Sequence, residues 1–484
     1  MAESAQARHD VAANGPTRAD ALASRQRIVT AARALIADRH VTMGELAAAA
    51  KVGRSTLYRH FPTREALERA VADEQGADEL PGFAPTATGR VATLPFQAPG
   101  QLGRERPLAL DVTRILDEVP PHLVPEQLVA EARRTAGVAV ALYVVDIDGS
   151  NLLRLAGSEE FPAQLPAPPA LGPEIVPEGL PEFYERLQQQ LPGCVAQPLW
   201  LRGRVTGLLL CVGTPVAALA DIAKQGAAAL ELANDYTDYI EAARRRKPTT
   251  PAAEVQQQLL PPRIARIAGA QLAGGLLPTY EVGGDWFDYV ENRDGAWLAI
   301  ADAPGNGPTA AGLGAAALGA LRAARRSGDD LEHALRNVHE TVRHLGNREF
   351  HVTAWVARWR APTATLTWIN CGHPTAYLVD ADGTLGELQA PEHPPLGADD
   401  TDPNFTPTER RLHSGERLIL VTNGVIKRRT EGGGTFGVDG LRRALERATS
   451  PTAAATAMAI QREVSDCWRE PLEDDATTVV MAVE

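Results

Sequence analysis

An apolar run, Trp297 to Ala301, ends in Asp302 and passes through Ala-Pro-Gly-Asn-Gly into an Ala-, Gly- and Leu-rich stretch, Ala310 to Arg326. A short apolar run bounded by turn residues reads as a buried strand, and the longer stretch after it as a helix. Strand, aspartate, glycine-rich loop and helix in that order place a carboxylate at a strand end, next to the start of a helix. Three other places repeat the pattern. Asp285 follows Gly283-Gly284, where the backbone can turn sharply. Leu418 to Val421 is a second buried run that leads into Thr422-Asn423-Gly424. Glu473-Asp474-Asp475-Ala476-Thr477 precedes the apolar run Thr478 to Val483.

Strand-terminal aspartates often do no more than begin turns. Brought together by a fold, they also hold hard, oxygen-preferring cations such as Mg²⁺ or Mn²⁺. Two such ions can lower the pKa of a bound water and clamp a phosphoryl group during in-line attack. Order and context favour the second reading. Glu281-Val-Gly-Gly-Asp-Trp-Phe-Asp288, the loop at Asp302, Phe350 to Trp355, Ile369 to Val379, Pro394 to Gly397, the run through Asn423 and Asp474 to Val480 come in a fixed order. In that order they resemble the motifs of the SpoIIE/RsbU branch of the PPM metal-dependent protein serine/threonine phosphatases. The resemblance implies an α+β four-layer β-sandwich over residues 252–484 and a two-metal site. It implies that Asp302 bridges both metals, that the Ala303 carbonyl completes the second site, and that Asp285 binds or orients the metal-bound waters. Asp474, with Asp475 beside it, is implied for the first metal, and Asp285 and Asp302 are the implied catalytic residues.

Two positions depart from that pattern. Asn423 stands where the family places an aspartate, and Asn306 where it usually has histidine. An amide oxygen still ligates Mg²⁺ or Mn²⁺ but brings no charge. The site is therefore expected to be either weakened, with activity that demands more metal, or lost, leaving a sensory or docking module. Gly372-His373-Pro374 matches the family and is expected to be structural. The short amphipathic segment Ala253 to Pro262 precedes the core; in relatives it acts as a switch linker.

The N-terminal segment has a different character. Ile28, Ala31, Ala32, Leu35 and Ile36 share one face of a helix running from Ser24 to Arg39. Thr42 caps the next helix with Glu45 three residues on, and Val52-Gly53 breaks the chain before Arg54 to Phe61. This is a helix-turn-helix pattern. Residues 18–70 carry ten Lys and Arg against five Asp and Glu, a net +5 in a chain whose net charge is -13. Thr42, Arg54, Ser55, Thr56, Tyr58, Arg59 and His60 supply the hydroxyls and cations that reach base edges and phosphates. The stretch Val52 to Leu67 resembles the DNA-binding motif of TetR-family repressors, which implies major-groove binding as a dimer over residues 18–76. The competing reading is an accessory three-helix domain with solvated arginines.

A Pro- and Gly-rich linker, residues 77–107, leads into a mixed α/β region at 108–246. Leu142 to Asp146 and Leu152 to Gly157 read as a hairpin, and Val195 to Gly213 as two strands joined at Arg202-Gly203-Arg204. One long helix is expected from Ala217 to Arg246. The order resembles a GAF domain, which implies a sensor for an unknown small-molecule effector or a dimerisation unit; no ligand residues are assigned. The fold class expected is thus multidomain: an all-α helix-turn-helix, an α/β GAF-like sensor and the α+β phosphatase sandwich. Four cysteines without metal-ligand spacing, and no signal-peptide core, point to a cytoplasmic chain that does not enter a membrane. Two functions remain open: a phosphatase acting on a phosphoprotein, in relatives often an anti-sigma-factor antagonist, or a homodimeric transcription regulator that binds DNA.

Overall fold

The structure is a computed structural model that describes residues 25, 27–32, 43–53, 56–57, 60–61, 67, 118–213, 217–279, 282–345, 351–398 and 403–484. It forms two compact units, Met1–Leu102 and Gly103–Glu484. In the first, residues 27–32 are helical and α1 spans Met43–Ala49. Lys51 turns the chain at φ 54°, and Thr56, Leu57 and His60 are helical again. Ile28, Val29, Ala32, Leu46, Ala47, Ala50, Leu57, Phe61 and Leu67 share one buried cluster. The helical expectation holds there. Thr56 and His60 are half-buried; Thr42, Arg54, Ser55, Tyr58, Arg59 and the 77–107 linker lie outside the described residues.

The second unit opens with α2 (Val124–Ala136), then β1 (Val140–Val145), β2 (Asn151–Gly157), β3 (Gln164–Pro166), β4 (Ala170–Leu171) and β5 (Glu174–Ile175). There follow α3 (Leu180–Gln190), β6 (Cys194–Leu201), β7 (Arg204–Val212), α4 (Ala217–Asn234) and α5 (Tyr239–Arg244). The strands make one sheet, ordered β3-β2-β1-β7-β5-β4, with β6 also on β7. Both expected hairpins are present: Tyr143 pairs with Arg154, and Leu201 with Arg204 across a turn in which Arg202 and Gly203 have positive φ. All of β1 is buried because helices cover both faces. Val140, Leu142 and Val144 pack towards α2 and α4, while Ala141, Tyr143 and Val145 pack towards α3. The period of two is visible in those two sets.

The single helix expected over Ala217 to Arg246 is two helices. It stops at Asn234 and restarts at Tyr239. Asp235-Tyr236-Thr237-Asp238 interrupts it, and the Tyr239 amide donates to Thr237 Oγ1 at 3.2 Å. Asp and Thr offer such local bonds in place of helical ones.

Then come α6 (Pro251–Leu259), β8 (Ile264–Ile267), β9 (Ala270–Leu277), β10 (Trp286–Asn292), β11 (Gly295–Asp302), α7 (Gly307–Ser327) and α8 (Leu331–His344). The chain continues through β12 (Thr353–Arg360), β13 (Thr365–Cys371), β14 (Ala376–Val379), β15 (Leu385–Leu388), β16 (Glu392–His393), β17 (Thr408–Arg411) and β18 (Arg417–Val421). It ends with α9 (Asn423–Ile426), α10 (Gly437–Arg447), α11 (Ala453–Asp466) and β19 (Ala476–Val483). One sheet runs β10-β11-β12-β13-β16 with β17 on β13; the other runs β15-β14-β18-β19-β9-β8. Phe287, Leu298, Ile300, Trp355 and Trp368 from the first meet Leu272, Leu418, Leu420, Val479 and Met481 from the second in a dry core. Outside this sandwich, α7 and α8 cover the first sheet, and α10 and α11 cover the second. Four layers result.

α6 begins where Thr250 Oγ1 accepts from the Ala253 amide and Pro251 fills the first helical position. It stops ahead of Pro261-Pro262. Glu174 of β5 reaches across to this part of the chain. Only 3 % exposed, it accepts from Arg204 Nη1 (2.6 Å), the Arg263 amide (2.9 Å) and the Ile264 amide (2.8 Å).

Candidate metal centre

Register brings the acidic positions together. Trp286 pairs with Ala301 in an antiparallel ladder, so Asp285 comes opposite Asp302 at one end of the first sheet. Val421 pairs with Thr478 and Ala476 with Leu277, so Asn423, Asp474 and Asp475 gather at an end of the second. Three glycines make the approach possible. A Cβ on Gly284 would meet the Ala303 carbonyl at 2.2 Å, one on Gly424 the Asp475 carbonyl at 2.0 Å, and one on Gly283 the Asp475 carboxylate at 2.8 Å.

Asp285 is 2 % exposed, and its Oδ2 accepts from Thr422 Oγ1 (2.8 Å) and Thr477 Oγ1 (2.6 Å). The Thr477 amide in turn donates to Thr422 Oγ1 at 3.0 Å. Burial, then the neighbouring Asp302 and Asp475, push the Asp285 carboxyl well above the usual carboxylate range. Asp302 is pushed up to about 6 by burial and by Asp474 and Asp475, against hydrogen bonds from Asp285 and the Asn423 amide. Burial also raises Asp474, while the amide of Asp475 bonds to it at 2.9 Å. The groups bearing on Asp285 and Asp302 are carboxylates, threonines and Asn423, with no Arg or Lys. Lys427 lowers Asp474, but like charges gathered at Asp285 and Asp302 with no basic side chain bearing on them suit a bound cation.

Asp475 is arranged otherwise. Its Oδ1 accepts from the Thr279 amide (2.9 Å) and hydroxyl (3.2 Å), and its Oδ2 from Gln256 Nε2 (2.6 Å) and the Gly283 amide (3.0 Å). A carboxylate offers about four acceptor positions; all four are taken, which corrects its expected place among the metal ligands. Its work is to hold the loop around residue 283. Gln256 also donates to the Asp285 carbonyl at 3.1 Å, so α6 touches the site directly.

Asp302, Asp474, the Asn423 side-chain oxygen and the Ala303 carbonyl are all hard oxygen donors, the kind Mg²⁺ and Mn²⁺ prefer. In kind the set fits; in charge it is one carboxylate short. Among the described residues, no three His, Cys, Asp or Glu side chains converge closely enough to hold an ion by themselves. Asn306 caps α7 from an exposed position without a side-chain capping bond. His373 is buried and pushed down to about 4, and its loop is stapled by two 2.9 Å bonds with Asn370, as a structural element would be.

Sequence reasoning missed Thr422, Thr477, Thr279 and Gln256. The first two did carry a signal: each lies within two residues of a chosen position, Thr422 directly after β18 and Thr477 at the start of β19.

Residues 292–484 match the family model for Stage II sporulation protein E, and residues 28–71 that for bacterial regulatory proteins of the tetR family. Phosphoserine phosphatase RsbU of Bacillus subtilis is 26% identical over 183 residues, which cover 38% of this chain and 54% of that protein. The chain thus spans about half the length of the curated relative it matches. Among solved structures, the SiaA-PP2C domain of Pseudomonas aeruginosa is 20% identical, with 53% of this chain and 100% of that one covered and a TM-score of 0.42. The PP2C phosphatase domain with a regulatory fragment of SpoIIE from Bacillus subtilis is 14% identical, at 77% and 92% coverage and a TM-score of 0.39. No helix among the described residues is long and apolar enough to cross a membrane. The chain carries a SpoIIE-type domain of the PPM phosphatase family at its C-terminal end and a TetR-type segment near its N-terminal end.

Proposed function

We infer that residues 252–484 act as a metal-dependent serine/threonine phosphoprotein phosphatase whose first metal position is weakened by Asn423. The observation that supports it is the gathering of Asp285, Asp302 and Asp474 beside Asn423, with no Arg or Lys bearing on Asp285 or Asp302 and Lys427 acting only on Asp474 of the three. Asp302 and the Ala303 carbonyl would hold one Mg²⁺ or Mn²⁺, and Asp302, Asp474 and the Asn423 oxygen the other. Bound there, the ions supply an activated water and a clamp for the phosphoryl group. Thr422 and Thr477 fix Asp285 so that it can orient that water. Asp475 is a positioning residue, and α6, joined to it through Gln256, serves as the switch linker.

A second reading has its own support. Asn423 is among the groups that favour the charged Asp302 carboxylate, and an amide donor beside it can answer that charge without an ion, as an inactive docking module requires. Manganese titration of p-nitrophenyl phosphate hydrolysis separates the two. The first reading expects activity in the wild-type chain at raised Mn²⁺, with Asn423→Asp active at lower metal. A silent wild type rescued by Asn423→Asp would leave only the second.

Residues 18–76 are assigned to DNA binding through Thr42, Arg54, Ser55, Thr56, Tyr58, Arg59 and His60, and residues 108–246 to a GAF-like sensor that also dimerises the chain. The phosphatase substrate would be a phosphoprotein of the anti-sigma-factor-antagonist kind. A salt-dependent gel shift lost in Arg54→Ala and Tyr58→Ala supports the DNA assignment; binding untouched by both removes it.

A further inference from the structure

A cavity of about 720 Å³ lies where the β1–β2 turn and β4 face the 245–250 joint, α6, the end of β9 and α11. It adjoins the carboxylate cluster, since Gln256 and Thr279 stand in its wall and also bond Asp475, but the rest of its lining is of different chemistry. Its bases are Arg245, Arg246, Lys247, Arg263 and Arg462, against the acids Asp148 and Asp466, in a chain whose net charge is -13. Arg245 is engaged by Glu241 and Glu254, and Arg246 by Asp146. Lys247 and Arg462 are exposed and make no ion pair among the described residues. Two cations without an ion pair, one on the joint and one on α11, line the same cavity and suit an anion.

A second observation is independent of charge. Gln461 is 7 % exposed, lines the cavity, and its side-chain amide has no hydrogen-bond partner among the described residues. Its amide lies so close over Gly275 that a Cβ there would meet Nε2 at 2.1 Å. Gln256 lines the same cavity, and its Oε1 is buried without a partner. A buried amide oxygen left unpaired, as at Gln256, is costly and uncommon, and a ligand that supplies a donor removes that cost. Leu276, Leu277, Pro278 and Met458 add an apolar surface against which a flat ring can lie. The volume falls within the range of small-molecule sites, roughly 300–1,000 Å³.

We propose that this cavity binds a nucleoside phosphate, with Lys247 and Arg462 on the phosphate and the Gln461 amide on the edge of the base. A glutamine amide pairs with an adjacent donor and acceptor on a purine, and neither a bare phosphate nor a sugar phosphate offers that edge. The site stands whether or not the carboxylate cluster is catalytic, so the test is binding alone.

The experiment is calorimetric titration of the full chain, in EDTA, with adenosine 5′-monophosphate, guanosine 5′-monophosphate, ribose 5-phosphate and inorganic phosphate. One site per chain is expected for at least one nucleotide, with Kd on the order of 10 μM. The Lys247→Ala/Arg462→Ala double variant should weaken it at least about tenfold, the loss of two charge-assisted contacts. Gln461→Leu should weaken the nucleotide severalfold while its thermal midpoint stays level, because the swap keeps the side chain's bulk at a buried position. Arg462→Gln alone, at an exposed position, keeps the test open if a double variant is poorly folded. Absence of binding by both nucleotides, ribose 5-phosphate binding as tightly as either, inorganic phosphate alone accounting for the affinity, or affinity unchanged in the variants would each overturn the proposal.

Discussion

Asp285 and Asp288 stand three residues apart at the start of one strand, 2 % and 4 % exposed, and the chain treats them in opposite ways. Asp288 is clasped by Arg322 (2.9 Å) and Arg325 (2.6 Å), which tie β10 to α7. Asp285 faces two threonine hydroxyls and other carboxylates, which with burial drive its proton affinity up. Burying a carboxylate is expensive unless its charge is answered. At Asp288 the answer is built into the chain. At Asp285 no basic side chain answers it, which is the pattern of a site arranged for use at some cost to stability.

The sharpest way to break this contrast is stability. Asp288→Asn should cost about 3 kcal/mol in urea unfolding, since it leaves the largely buried Arg325 unanswered. Asn423→Asp in EDTA comes next, with a loss of about 2 kcal/mol from a new like charge that replaces a neutral amide beside Asp302. Mn²⁺ should recover that loss, and a variant as stable as wild type without metal would show that residue 423 does not face the cluster.

The pH dependence is a finer test. The Asp302 carboxyl is pushed up to about 6 from an ordinary value of 3.8, so the folded state binds its proton more tightly. Its contribution is fully present below the unfolded value and is lost as pH rises through about 6. In EDTA, the stability of wild type minus that of Asp302→Asn should fall as pH rises from about 4 to about 6 and level off above that. Saturating Mn²⁺ should flatten the difference. The smallest expected effect is Asp285→Asn, within about 1 kcal/mol of wild type at neutral pH, because one oxygen still accepts from both threonines while a repulsion is removed. A loss equal to that of Asp288→Asn would erase the contrast.

How much of this could be read from the chain alone depends on sequence distance. Asp285, Asp302, Asn423 and Asp474 were legible because each ends or begins an apolar run, a local signal. Asp475 was misread because what occupies it is remote: Gln256 lies 219 residues away and Gly283 lies 192. The β1–β2 and β6–β7 hairpins were legible from paired apolar runs around a turn. Strands β4 and β5, two residues each, carry no periodicity to read. The interruption at Asp235 to Asp238 was written in the residues, yet the strong Ala and Leu periodicity before it hid it.

Glu174 also bears on how the chain can be taken apart. Its carboxylate is the partner of two backbone amides at the start of β8, so a fragment beginning at residue 252 leaves the Arg263 and Ile264 amides without their acceptor. A fragment ending at 246 leaves a nearly buried acid answered by Arg204 alone. Melting of residues 103–484 should accordingly be one transition, and either piece made separately should melt well below the whole. Such a hinge-free joint makes these two stretches poor material for shuffling between proteins, and a pair to be inherited together.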